Sequence, residues 1–143
     1  MNRIHRIAVT VSFLLAAAAV ASAADLTVTV KDVRNTTGSV LIVVYDEGSF
    51  GKPELAKAKQ KANATQGEVK FVFHDLPAGK YAVAAFHDEN GNGKLDRNSL
   101  GIPTEGYGFS NDAQGTGGPP KFAQAAFDFD GKTNKAISFS LNY

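Results

Sequence analysis

The run Asp88-Glu89-Asn90-Gly91-Asn92-Gly93-Lys94-Leu95-Asp96 places oxygen-bearing side chains at Asp88, Asn90, Asn92 and Asp96, with glycines between them. Set against the calcium-loop pattern, Asp88, Asn90 and Asn92 take the first, third and fifth positions, and Gly93 takes the sixth, where the chain turns sharply. Lys94 would then offer its backbone carbonyl, Asp96 would bind directly or through water, and Leu95 would turn away to anchor the loop to the core. Oxygen donors without nitrogen or sulfur suit a hard cation, and a flexible set of carboxylates and amides suits calcium better than magnesium. The pattern breaks at its last position, where a bidentate glutamate is expected and Ser99 stands. Glu105, Asp112 or a backbone oxygen has to fold back to close the site, so weak affinity is the expectation. The competing reading is a turn and nothing more, because Asn, Asp and Gly dominate turns for local hydrogen-bonding and φ reasons.

Further along, Tyr107 and Phe109 are interleaved with Gly106 and Gly108. They read either as an aromatic platform for a sugar or peptide, or as apolar side chains packed over an open end of the fold, which is the commoner fate of such side chains. Support for catalysis is thin. The chain has no Gly-x-Ser-x-Gly elbow, no cysteine, no His-Glu-x-x-His zinc motif and no phosphate loop. His87 beside Asp88 or Glu105 is the best acid–base pair on offer, and His74 and His87 lack the spacing of a paired site. These residues favour a non-catalytic binding or structural module with an unidentified protein or glycan partner.

What has to position these groups is a set of short strands. Leu26, Val28 and Val30 alternate with Thr27, Thr29 and Lys31, so a strand with one buried face runs from Asp25 to Val33. Val40-Leu41-Ile42-Val43-Val44-Tyr45 is a continuous apolar, largely β-branched run, read as a central strand covered on both faces. Glu54 to Lys61 has helical composition, yet Ala56, Ala58, Ala62 and Ala64 all fall at even positions. One helical turn near Pro53 and then a strand from Ala58 to Thr65 are expected. Gln66-Gly67 reverses the chain into a strand through Val69, Phe71 and Phe73, and Leu76-Pro77-Ala78-Gly79-Lys80 supplies hairpin chemistry leading into Tyr81 to His87. From Asp88 to Lys121 no periodicity is visible, and loops of that length are usually functional or disordered. Alternation resumes over Phe122 to Phe129 and, after Asp130-Gly131-Lys132, over Ala136 to Leu141. The prediction is an all-β antiparallel sandwich of about seven strands, immunoglobulin-like or transthyretin-like, with one long Gly-rich loop. A transmembrane barrel fits less well, since it needs about eight or more tilted strands and aromatic girdles, and the chain has no Trp.

At the N-terminus, Arg3 and Arg6 precede an apolar run from Ile7 to Val20 and the small residues Ala21-Ser22-Ala23-Ala24. This is the layout of a secretory signal peptide cleaved after Ala23 or Ala24, and the apolar run falls short of the roughly 20 residues that span a bilayer. The expected organisation is a signal peptide over 1–23 and one domain over 24–143, periplasmic or secreted, monomeric and without stable membrane insertion. The whole chain carries 15 basic and 14 acidic side chains. No basic block remains beyond the leader, so nucleic acid is not an expected partner. With no cysteine, the exported domain has to rely on its core and on any bound ion.

Three stretches carry a resemblance: Phe73 to Val83 around Leu76-Pro77-Ala78-Gly79-Lys80-Tyr81, His87 to Asp96, and Gly101-Ile102-Pro103-Thr104-Glu105-Gly106-Tyr107-Gly108-Phe109-Ser110. Together they resemble a family of exported bacterial proteins catalogued as domain of unknown function 2141. The resemblance covers nearly the whole domain and implies location and fold more than activity. A looser likeness, through Phe-x-x-Leu-Pro-x-Gly-x-Tyr at Phe73 to Tyr81, runs to the β-sandwich repeats of bacterial surface adhesins. It implies a stalk or spacer, often with bound calcium, and a shared fold does not fix a function.

Overall fold

The computed structural model describes residues 23–143, so the signal peptide read from the sequence lies, but for Ala23, outside the described residues. Alternating side chains make the first strand, β1 (Leu26–Val33): Leu26, Val28 and Val30 are fully buried while the residues between them face outward. The strands that follow are β2 (Ser39–Tyr45), β3 (Ala58–Asn63), β4 (Gly67–Phe73), β5 (Gly79–Asp88), β6 (Tyr107–Phe109), β7 (Phe127–Phe129) and β8 (Lys135–Ser140). They form a three-stranded sheet in the order β4-β1-β8 and a five-stranded sheet in the order β3-β2-β5-β6, with β7 paired to the start of β5. The inward faces close on one core built from side chains such as Val30, Ile42, Phe71, Val83 and Phe139. The chain is therefore an all-β sandwich, as expected from its alternation. Every pair is antiparallel except β1 with β8, where the last strand returns alongside the first in the same direction.

The helical turn near Pro53 is a single 3-10 turn, Pro53–Leu55, and β3 follows it as the alternating alanines required. Three local expectations need correction. The segment Leu76 to Lys80 is no hairpin, because β4 and β5 lie in different sheets. Pro and Gly there signal a reversal but cannot report which sheet receives the next strand. The Tyr81 hydroxyl donates to the Pro77 carbonyl at 2.8 Å and fixes this corner.

The strand expected over Phe122 to Phe129 is shorter. Its first half is a helical turn, α1 (Phe122–Ala125), closed by the Gln124 side chain accepting from the Lys121 N–H at 2.7 Å. Local capping outweighs alternation there. Finally, β2 is not sealed on both faces: Val40, Ile42 and Val44 are fully buried, whereas Leu41 and Val43 on the other face are half-buried. Among the described residues no helix is long and apolar enough to cross a membrane.

The candidate ion loop and the groove beneath it

β5 ends at Asp88, which pairs with Ser39 of β2 and is fully buried. Its pleat parity is that of Ala84 and Phe86, so it stands on the outer face of the five-stranded sheet, where the loop rises. One Asp88 oxygen accepts from the N–H groups of Gly91 at 2.9 Å and Asn92 at 3.1 Å, and the other accepts from Gly93 at 2.8 Å. Gly93 has φ +76°, the left-handed conformation that a glycine enters without steric cost. The buried carboxylate thus folds the loop around itself.

On the solvent side the remaining oxygen-bearing groups converge. The Asn90 amide donates to one oxygen of Asp96 and the Asn92 amide donates to the other at 2.8 Å. The Asn90 carbonyl oxygen accepts from Asn92 N–H at 3.1 Å, and that of Asn92 accepts from Lys94 N–H at 2.9 Å. Asn90, Asn92 and Asp96 are therefore brought together, while Asp88 meets the loop through backbone N–H groups alone and Lys94 is exposed. Glu105, nearly buried, does not join that cluster. Its two oxygens accept from the N–H groups of Glu89 at 2.9 Å and Asp96 at 3.1 Å, so it pins the loop at both ends. Asp112 stands apart, accepting from Ser140 N–H at 2.8 Å.

His87 precedes Asp88 and therefore points to the opposite face of the sheet. It is fully buried; Nε2 donates to the Thr37 carbonyl at 2.7 Å, which leaves Nδ1 to accept from the Tyr143 hydroxyl at 2.8 Å. Neither nitrogen meets Asp88 or Glu105. The Tyr143 oxygen also accepts from Arg34 N–H at 3.1 Å, and the Arg34 guanidinium lies 4.4 Å over the Tyr143 ring while pairing with Glu89. Burial works to raise the Glu89 pKa, but Asn35 and Arg34 outweigh it and hold the carboxyl below its ordinary value. Burial likewise raises the Tyr143 pKa and favours the protonated hydroxyl that His87 requires.

Tyr107 and Phe109 lie on β6 at the edge of the same sheet, half-buried, with ring centroids 6.3 Å apart in an edge-on arrangement. Gly108 between them faces inward, where an added Cβ would lie 2.3 Å from the Ser140 carbonyl oxygen. Only glycine lets β6 lie that close to β8. The register places two rows across the outer face, Lys61-Leu41-Phe86-Tyr107 and Lys59-Val43-Ala84-Phe109. Over them lies a groove of about 1120 Å³. Leu95 lines this groove and is no part of the core, contrary to the anchor expected of it. Sequence reading overlooked the groove, although its signal was present: Leu41, Val43 and Phe86 are apolar at positions whose neighbours in sequence already fill the core.

The fold and loop define a class, a two-sheet β-sandwich whose larger sheet ends in a carboxylate-organised loop. Within that class, the chain belongs to the family described as an uncharacterized protein conserved in bacteria, domain of unknown function 2141, whose model matches residues 28–138. No curated protein and no solved structure matches the chain, and the looser likeness to adhesin repeats has no counterpart among the matches.

Proposed function

We propose that the protein is an exported, non-catalytic β-sandwich module that acts by binding, with the loop from Asp88 to Asp96 stabilised by calcium. The observation that carries this reading is the convergence of Asn90, Asn92 and Asp96 over a backbone already folded around Asp88. Two amides and two carboxylates offer a hard cation a set of oxygens once the amides turn their carbonyls inward, and the Lys94 carbonyl and water complete it. Glu105 acts here as a frame for the loop. The buried His87, with both ring nitrogens held by Thr37 and Tyr143, supports a structural and not a catalytic role. The export pattern at the N-terminus supports a periplasmic or secreted location.

The test is thermal unfolding of the purified protein in EDTA and in millimolar calcium, with Asp96→Ala as the variant that spares the buried carboxylates. A ligand present at about 100 times its dissociation constant adds about 2.7 kcal/mol, which moves the midpoint by several degrees. The expected result is a rise with calcium, smaller with magnesium, that Asp96→Ala abolishes. No rise, or one that survives Asp96→Ala unchanged, returns the loop to a turn.

A further inference from the structure

The outer faces of the two sheets are unlike. On the three-stranded sheet the register sets Thr27 between Val72 and Ala136, Thr29 between Lys70 and Ser138, and Lys31 between Glu68 and Ser140, a mostly polar surface with no aromatic side chain. On the five-stranded sheet the same kind of surface carries Leu41, Val43, Phe86, Tyr107 and Phe109, roofed only in part by loops. Leu100 and Ile102 stand at its lip, 81% and 56% exposed. Large apolar side chains left in water beside an apolar groove mark a site that something covers.

The charges say what kind of molecule covers it. Lys59, Lys94 and Arg97 line the groove, and no acidic residue does. Among the described residues neither Lys59 nor Lys94 has an ion-pair partner, and Arg97 spends one N–H on the Gly101 carbonyl at 2.9 Å. An extended peptide would need free backbone edges, but β2 and β5 are paired on both sides, so the floor offers side chains alone. A sugar would need many hydrogen-bonding groups, whereas the floor made by Leu41, Val43, Ala84 and Phe86 is aliphatic and aromatic. We infer that the groove binds a long-chain fatty acid anion, its hydrocarbon chain on the Leu41, Val43 and Phe86 floor and its carboxylate at Lys94 and Arg97. This rests on the binding-module reading above and names its ligand class.

The test is calorimetric titration of the purified protein with dodecanoate below its micellar concentration, in calcium-free buffer because calcium precipitates the soap, with amide chemical shifts mapping the site. Saturable one-to-one binding is expected, with shifts centred on β2, β5 and β6. Dodecanol, which lacks the charge, should bind about tenfold more weakly, and the exposed variant Lys94→Gln combined with Arg97→Gln should weaken dodecanoate by about the same factor. Phe86→Ala should weaken both ligands alike, and Lys70→Gln on the polar face should change nothing. Absence of saturable binding, shifts elsewhere, equal affinity for dodecanol, or tighter binding of a lysophospholipid overturns the inference. The calcium reading is scored separately by the midpoint without amphiphile. A calcium shift without dodecanoate binding sinks only the fatty-acid inference, and binding without a calcium shift sinks only the ion loop.

Discussion

Two aspartates open turns of similar composition in this protein and end in different situations. Asp130, before Gly131, is exposed, and one of its oxygens accepts from the N–H groups of Lys132 and Thr133, each at 2.8 Å. Those hydrogen bonds hold its carboxyl below the ordinary value, and that is all the turn requires. Asp88 is fully buried, uses both oxygens on three N–H groups, and has Asn90, Asn92 and Asp96 gathered on the side away from the core. A turn needs an acceptor, and a binding loop needs an acceptor plus further side-chain oxygens close by. Only the second aspartate is surrounded by both.

The sharpest way to break this comparison is to remove each acceptor. Asp88→Ala leaves three loop donors without their partner and should cost about 3 kcal/mol in urea unfolding without calcium, since buried donors lose more than exposed ones. A loss below about 1 kcal/mol would put Asp88 in the same class as Asp130. Glu105→Gln keeps one carbonyl acceptor and sets an amide against the other donor, so about 1–2 kcal/mol is expected by the same measurement. If Glu105 also closes the ion site, this variant weakens the calcium response as well, and if it only frames the loop the response persists. Asp130→Ala exposes two donors to water and should lower stability less than either of the other two variants in the same measurement, with any calcium shift intact.

A third aspartate-led turn gives the smallest effect. Asp46 accepts from Ser49 N–H at 3.0 Å and from its hydroxyl at 2.7 Å, and pairs with Lys57 at 2.8 Å. Lys57 and Ser49 together hold its pKa at about 2. Because the folded value lies below the unfolded one of about 3.9, the contribution is present above that pH. It is lost as pH falls through about 2. Lys57→Gln should raise the Asp46 titration midpoint toward the ordinary carboxylate range, read from side-chain carboxyl resonances; an unmoved midpoint would assign the depression to Ser49 alone.

Much of the fold was legible because strand alternation is a local property of the chain. The inward residues of β1 and the alternating alanines of β3 were correctly read from period alone. The members of the loop cluster could be named from spacing, because alternate residues of a tight loop share a side wherever the loop sits. Local signals failed where the outcome depended on distant partners. Leu76 to Lys80 marks a reversal in either setting, yet only the assembled sheets decide that it crosses between layers.

The sequence by itself determined an all-β domain, the positions of most strands along the chain and the oxygen-rich loop. Only the tertiary structure decided that Glu105 braces that loop and stays outside its cluster, that His87 is locked between Thr37 and Tyr143, and that Leu41, Phe86 and Tyr107 line up across three strands. The reason is range. Hydrogen bonds and periodicity act over a few residues, whereas a groove is made by residues far apart in the chain that become neighbours when the strands find their register.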